Sequence, residues 1–315
     1  MGMAAERQKV RFSSGGTECA AWYYPGTSGA CVVMAGGFAV TKEPATDQFA
    51  PRFQAAGLAV LAFDYRHLGE SGGQPRQVAG VAGQLADWDA ALAFAATRPG
   101  VDPARLGIWS FSASGGHVFR VAARHPALAA AIAQTPNADG LAAARNAARY
   151  QQPLALARLT GRGLLDALGA LARRPPRLVP LGGARGTVAV VTTPDVADSD
   201  AALNPGGRYP DWQQAVAARS VLRLSWYRPG RAARRVQGPL LVLACDQDRT
   251  ALPGPAIRAA GRAPRGELVR LPGGHYAPFL EQHEQAVEAQ LDFLRRHLLE
   301  PAGAGQRAAA SSARA

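Results

Sequence analysis

Hydrophobic positions in this chain follow two rhythms. Residues 9–14 and 18–24 alternate apolar and polar side chains on either side of Ser14-Gly15-Gly16, the pattern of a two-stranded hairpin. From residue 30 the alternation gives way to short unbroken apolar runs. These are 30–35 (ACVVMA), 58–63 (LAVLAF), 106–109 (LGIW), 129–133 (AAAIA), 240–244 (LLVLA) and 268–271 (LVRL). Strands that are apolar on both faces belong to a parallel sheet covered by helices. Amphipathic stretches near 44–56, 77–97, 114–125, 253–262 and 281–299 supply those helices. The predicted architecture is α/β: a mostly parallel, doubly wound sheet with an N-terminal antiparallel hairpin.

One segment breaks the rhythm. Residues 138–235 hold no convincing parallel strand, but Ala/Leu/Arg-rich helical stretches, the breakers Pro175-Pro176 and Gly182-Gly183, and a late cluster of Trp212, Trp226 and Tyr227. They read as a mostly helical cap inserted between two sheet strands. The expected organisation is therefore a core in two parts, 1–137 and 236–300, a cap at 138–235, and a disordered tail at 301–315.

Composition changes this picture little. With 48 % apolar and 18 % charged residues, the 315-residue chain is globular and long enough for one large domain with an insertion. The start, MGMAAERQKVRF, lacks a signal-peptide core, and no apolar run nears the ~20 residues that span a bilayer. A soluble cytoplasmic protein with no membrane partner is expected. The net charge of +12 invites a nucleic-acid reading, yet every basic residue except Lys9 and Lys42 is an arginine, scattered without a recognition motif. No nucleic-acid partner is expected; self-association into a homodimer stays open. Cys19, Cys31 and Cys245 have no metal-ligand spacing, and the latter two sit in predicted strands as small buried residues.

Four places carry candidate chemistry. In 105–126 (RLGIWSFSASGGHVFRVAARHP) a short apolar strand meets small residues and passes straight into an amphipathic helix. A nucleophile on such a turn needs small flanks, and the helix start offers N–H groups and positive dipole to an oxyanion. Ser112 and Ser114 compete. Four strand residues precede Ser110, so Ser112 falls at the apex and Ser114 within the first helical turn, which favours Ser112. In 240–253 (LLVLACDQDRTALP) a buried strand ends in Asp246 and Asp248, where carboxylates face the ligand crevice of parallel sheets. Asp248 is placed to orient a histidine, and Asp246 to make loop hydrogen bonds. In 271–279 (LPGGHYAPF) a strand and a double glycine lead to His275, giving the chain order Ser, Asp, His. His117 lies close to the serine turn. Finally, 32–42 (VVMAGGFAVTK) opens a strand into Gly36-Gly37-Phe38. Its glycines allow close backbone approach to a substrate at Gly37, and the N–H groups of Phe38 and Ala113 could form an oxyanion hole.

With these elements in order, the chain resembles serine hydrolases of the α/β-hydrolase superfamily, and within it the bacterial capped branch of esterase-, thioesterase- and dienelactone-hydrolase-like proteins. Residues 63–76 (FDYRHLGESGGQPR) are similar to that family's D-x-R-G-x-G-x-S segment, with His67 at a glycine position. The strand–turn–helix block is similar over 102–126, with Ser110 where the family has glycine. The resemblance places the family's nucleophile on Ser112, its acid on Asp248, its base on His275 and its oxyanion loop on Gly36 to Phe38. It implies cofactor-free, metal-free acyl transfer on a small-molecule carbonyl substrate: an ester, thioester or lactone. C–C bond hydrolysis, or a cyclase or lyase reaction on a natural-product-like carbonyl, would use the same residues. A non-catalytic ligand-binding homologue is the remaining alternative. Trp212, Trp226 and Tyr227, at the end of the cap, are expected to overhang the pocket and to bind a bulky apolar substrate.

Overall fold

The computed structural model describes residues 6–299; the tail expected at 301–315 lies outside them. The chain opens with β1 (Gln8–Ser14) and β2 (Thr17–Tyr24), then β3 (Cys31–Ala35), the short helices α1 (Lys42–Thr46) and α2 (Ala50–Ala55), and β4 (Ala59–Phe63). There follow α3 (Val81–Ala96), β5 (Leu106–Phe111), α4 (Ser112–Arg124) and β6 (Ala130–Gln134). The excursion between β6 and the next sheet strand contains α5 (Gly140–Ala147), α6 (Pro153–Leu171), β7 (Leu178–Pro180), α7 (Ser199–Leu203) and β8 (Ala215–Ala217). Then β9 (Leu240–Cys245), α8 (Pro253–Ala260), β10 (Gly266–Leu271) and α9 (His283–Leu294) complete the layers.

Eight strands form one sheet in the order β1-β2-β4-β3-β5-β6-β9-β10. The first two are antiparallel to their neighbours and the other six run parallel. Ser14 pairs with Thr17 across Gly15 and Gly16, which both take positive φ (55° and 77°), as a two-residue hairpin turn requires. Strand pleating divides the core into two layers. Val33 and Ala35 of β3 pack with Trp88 of α3, Phe119 of α4 and Ala256 of α8. Val32 and Met34 face the other way, toward Phe49, Phe53 and the α9 residues Val287 and Leu294. The helix expected near 44–56 is split into α1 and α2, and the others are present with shifted ends: α3 begins at Val81 rather than 77, and α4 at Ser112 rather than 114.

The insertion is less helical than its composition suggests. β7 and β8 pair antiparallel over three residues each, too short for periodicity to reveal. That ribbon is tied to the core at Gln77, whose carbonyl accepts from Ala217 N (2.7 Å) and whose amide donates to the carbonyls of Gln213 and Ala215. The 63–76 segment forms a brace beside β4. Buried Asp64 accepts from the N–H and Nζ of Lys42 (2.8 and 2.9 Å) and from Glu70 N (3.0 Å). His67 adopts φ 69°, the left-handed conformation for which a glycine is the usual choice.

Buried His117 joins α4 to α3 and the cap. Its Nε2 lies 3.0 Å from Gln84 Oε1 and its Nδ1 2.7 Å from the Tyr227 hydroxyl. Burial, reinforced by the charges of Arg120 and Arg124, lowers its pKa from 6.5 to about 3. Neutral His117 therefore contributes stability that is present above pH 6.5 and lost as pH falls toward 3. Urea unfolding at pH 7 and at about pH 4.5 should show a loss of stability that shrinks in His117→Gln. An undiminished loss would assign the acid sensitivity elsewhere.

Candidate active site

Ser112 stands where β5 turns into α4, with φ 58°, a left-handed conformation that a non-glycine residue adopts only when its surroundings impose it. Small neighbours make the turn feasible. A Cβ on Gly115 would come within 3.0 Å of the Gln134 carbonyl, and one on Gly116 within 2.6 Å of the Asn137 carbonyl. Helix α4 thus packs directly on the chain leaving β6. Ser110 is fully buried and its hydroxyl donates to the Ala35 carbonyl (2.9 Å), so a serine at this position adds a bond across the β3–β5 pair. Ser114 is also fully buried, inside the helix.

His275 and Asp248 converge on Ser112 from the ends of β10 and β9. The Ser112 hydroxyl lies 2.9 Å from His275 Nε2, and His275 Nδ1 lies 2.7 Å from Asp248 Oδ2. The other carboxylate oxygen, Oδ1, accepts from the N–H groups of Thr250 (2.8 Å) and Ala251 (2.7 Å). With Nδ1–H donated to the carboxylate, neutral imidazole presents a lone pair at Nε2 to the serine proton. Burial opposes charge on this ring, but Asp248, with a smaller contribution from Asp195, outweighs it and raises the His275 pKa above its ordinary value. Asp246 turns outward and pairs with Arg270 (2.9 Å).

The serine opens on a cavity of about 330 Å³. Phe38, Ala113 and Asn137 surround it at the serine end. Its walls come from the cap: Ala143, Ala144 and Ala147 of α5, Leu156 and Leu159 of α6, with Val190, Val191, Val221 and Leu222. Phe38 and Ala113 thus line the same cavity as Ser112. Gly37 is not on the wall; it is where the 36–38 loop passes the Phe111 ring, which a Cβ would approach to 2.9 Å.

The aromatic cluster does not overhang this cavity. Trp212 is buried at 7 % exposure in the layer with Phe49 and Leu203, and its Nε1–H donates to the Ala39 carbonyl (3.0 Å). Tyr227 is committed to His117, and Trp226 is 80 % exposed. Proximity along the chain to β9 did not bring these rings to the site. Packing and the need for indole and phenol partners placed two of them elsewhere.

The sequence reading missed Asp195. This buried cap residue reaches under the site: Oδ1 accepts from His275 N (3.3 Å), and Oδ2 from Arg249 N and the Thr250 hydroxyl (both 2.9 Å). Its approach explains the second glycine before His275, because a Cβ on Gly274 would lie 2.6 Å from Asp195 Oδ1. The Thr193 and Thr250 hydroxyls meet at 2.5 Å, and Asn146 donates to the Arg249 carbonyl, also at 2.5 Å. The cap is thereby latched to the loop that carries Asp248. Nothing in the local sequence around Asp195 (VVTTPDVADSD) distinguishes it from a capping aspartate.

Layers, turn and site order define the class, and comparison with known proteins agrees: residues 29–290 match the alpha/beta hydrolase family, and the chain belongs to it. It is similar to the quorum-quenching protein AidA of Acinetobacter baumannii, at 38 % identity over 292 residues, covering 91 % of this chain and 94 % of AidA. A shorter match, 41 % over 93 residues, covers 30 % of this chain and 29 % of the thiohydrolase aneE of Aspergillus aculeatus. Among solved structures, the α/β hydrolase GrgF from a Penicillium species has the same fold, with a TM-score of 0.78 at 21 % identity, covering 93 % of this chain and 99 % of GrgF.

Asp195→Ala would strand two N–H donors, those of His275 and Arg249, while the Thr250 hydroxyl keeps Thr193 as a partner. At about 1–3 kcal/mol for each unsatisfied group, the variant should lose at least about 2 kcal/mol of unfolding free energy in urea. A loss below about 0.5 kcal/mol, the level of a neutral surface change, would mean that the latch is not structural.

Proposed function

We propose that this protein is a serine hydrolase that cleaves an ester, thioester or lactone of a mainly apolar acyl group. The observation that carries this is the Ser112–His275–Asp248 alignment, with contacts of 2.9 and 2.7 Å, at one end of an apolar cavity. Ser112 Oγ attacks the carbonyl carbon while His275 Nε2 takes its proton. Asp248 holds the imidazole tautomer and stabilises the imidazolium. The N–H groups of Phe38 and Ala113 receive the oxyanion. Collapse of the tetrahedral adduct breaks the carbonyl–O or carbonyl–S bond, and the His275 proton leaves with the alcohol or thiol. Water, deprotonated by His275, then releases the acid and restores Ser112. The small α5 side chains and the apolar α6 side chains suit an acyl chain lying along the cap. A relative named a quorum-quenching protein and one named a thiohydrolase support a hydrolytic reading.

Hydrolysis of p-nitrophenyl esters, an acyl thioester and an N-acyl lactone tests the reading. Ser112→Ala should reduce turnover by ~10⁶-fold, and Asp248→Asn by ~10⁴-fold, whereas Asp246→Asn should stay within about threefold of wild type because its partner is a surface arginine. Retained activity in folded Ser112→Ala would overturn the assignment. The raised pKa of His275 sets the acid side of the profile. Because protonated His275 cannot act as base, kcat/KM should fall as pH drops through a value above 6.5.

Chain-length preference tests the cavity. Ala144→Leu on the α5 wall should move the optimum toward shorter acyl groups with Tm nearly unchanged. An unaltered chain-length profile would place the acyl group elsewhere.

A further inference from the structure

Five of the exposed large apolar residues lie on one cap helix. On α6, Leu154, Leu164, Leu165, Leu168 and Leu171 are 54–83 % exposed. At 3.6 residues per turn they join Ala157 and Gly161 in one continuous stripe. The opposite side of α6 is already used: Ala155, Gly163 and Asp166 are buried, and Leu156, Leu159 and Thr160 line the cavity. Isolated exposed leucines need no explanation, but an apolar stripe of this length does.

The surroundings of the stripe are basic. Exposed Arg158 and Arg162 flank it, and exposed Arg173, Arg174 and Arg177 follow its C-terminal end. Across residues 140–194 there are eight arginines and a single acidic residue, Asp166. That aspartate is buried and occupied by the N–H groups of Arg177 and Arg219. Beyond the helix end lies a groove whose lining includes Arg76, Arg173, Arg174 and Arg219. No carboxylate pairs with Arg158, Arg162, Arg173 or Arg174 among the described residues.

Charge and area select the occupant. In an antiparallel pair of α6 helices related by a two-fold axis, Arg158 and Arg162 of both copies would gather on one side without a counter-charge. The leucines alone expose on the order of 500 Å², so a stable dimer, at ~800 Å² per partner, would have to bury the flanking arginines as well. The chain's own last residues, PAGAGQRAAASSARA, carry no large apolar group and add further arginines. A lipid surface needs no matching contour: leucines enter the acyl boundary while arginines meet phosphates. We propose that α6 docks this protein onto an anionic lipid surface, with Leu164, Leu165, Leu168 and Leu171 inserted and the flanking arginines on the headgroups. The inference stands on exposure and charge and is independent of the hydrolase reading.

Vesicle co-sedimentation tests it with the full-length protein. At ~0.1 M salt, phosphatidylcholine vesicles containing about one-third phosphatidylglycerol should bind it, and pure phosphatidylcholine should bind at least tenfold less. Arg158→Gln with Arg162→Gln should weaken binding about thirtyfold, and Leu164→Ser with Leu168→Ser at least tenfold. Circular dichroism checks that the variants are folded. Leu168→Trp supplies a second readout that needs no destabilising change: its fluorescence should shift to the blue on adding the anionic vesicles. The proposal fails if wild type does not bind anionic vesicles, or if either double variant binds as wild type does. It also fails if sedimentation velocity shows a dimer that the leucine substitutions dissociate, since a second copy would then cover the stripe.

Discussion

A carboxylate taken almost completely out of water must find donors for both oxygens, and around Asp248 the rest of the site is arranged to provide them. Thr250 and Ala251 occupy one oxygen through their N–H groups, and His275 occupies the other. Removing any of these would leave a buried charge short of a partner, a penalty larger than the gain from forming an ordinary hydrogen bond. That penalty is what holds the imidazole in one tautomer and one orientation, with Nε2 aimed at Ser112. The fold meets the requirement by bringing the ends of β9 and β10 side by side, so that the acid loop and the histidine loop share one edge of the sheet.

The cap takes part in this arrangement rather than merely lying over it. Asp195 binds the backbone on both sides of the Asp248–His275 contact, and Thr193 and Asn146 hold the same loop. The segment that encloses the cavity is thereby coupled to the geometry of the Asp248–His275–Ser112 contacts. A shift of the cap large enough to enlarge the cavity would also remove acceptors beneath His275. Substitutions in the cap are for that reason expected to act on rate as well as on selectivity.

A different balance governs the outer side of the same insertion. Its inner surface is satisfied by the cavity and the core, while α6 leaves leucines in solvent beside arginines that pair with no carboxylate among the described residues. The apolar and basic features of the chain's composition, diffuse when read along the sequence, become one surface only when the helix is set in place.

The sequence by itself determined the layered sheet and the positions of Ser112, Asp248 and His275, because each lies where an apolar strand ends in a short turn. Such junctions are local, and an apolar run of four or five residues followed by small residues or aspartates marks them without knowledge of the rest of the chain. The 63–76 segment was legible only through the family resemblance, which has glycine where His67 here takes φ 69°. Tertiary structure alone decided what the cap does. Its strands are three residues long, its helices are apolar on more than one face, and the partners that tie Asn146, Thr193 and Asp195 to the Asp248 loop and His275 are 50 or more residues away. Trp212 shows the limit most clearly: sequence proximity to β9 suggested a pocket residue, and the burial of a large ring with a carbonyl for its N–H placed it against the loop after β3, at Ala39, instead.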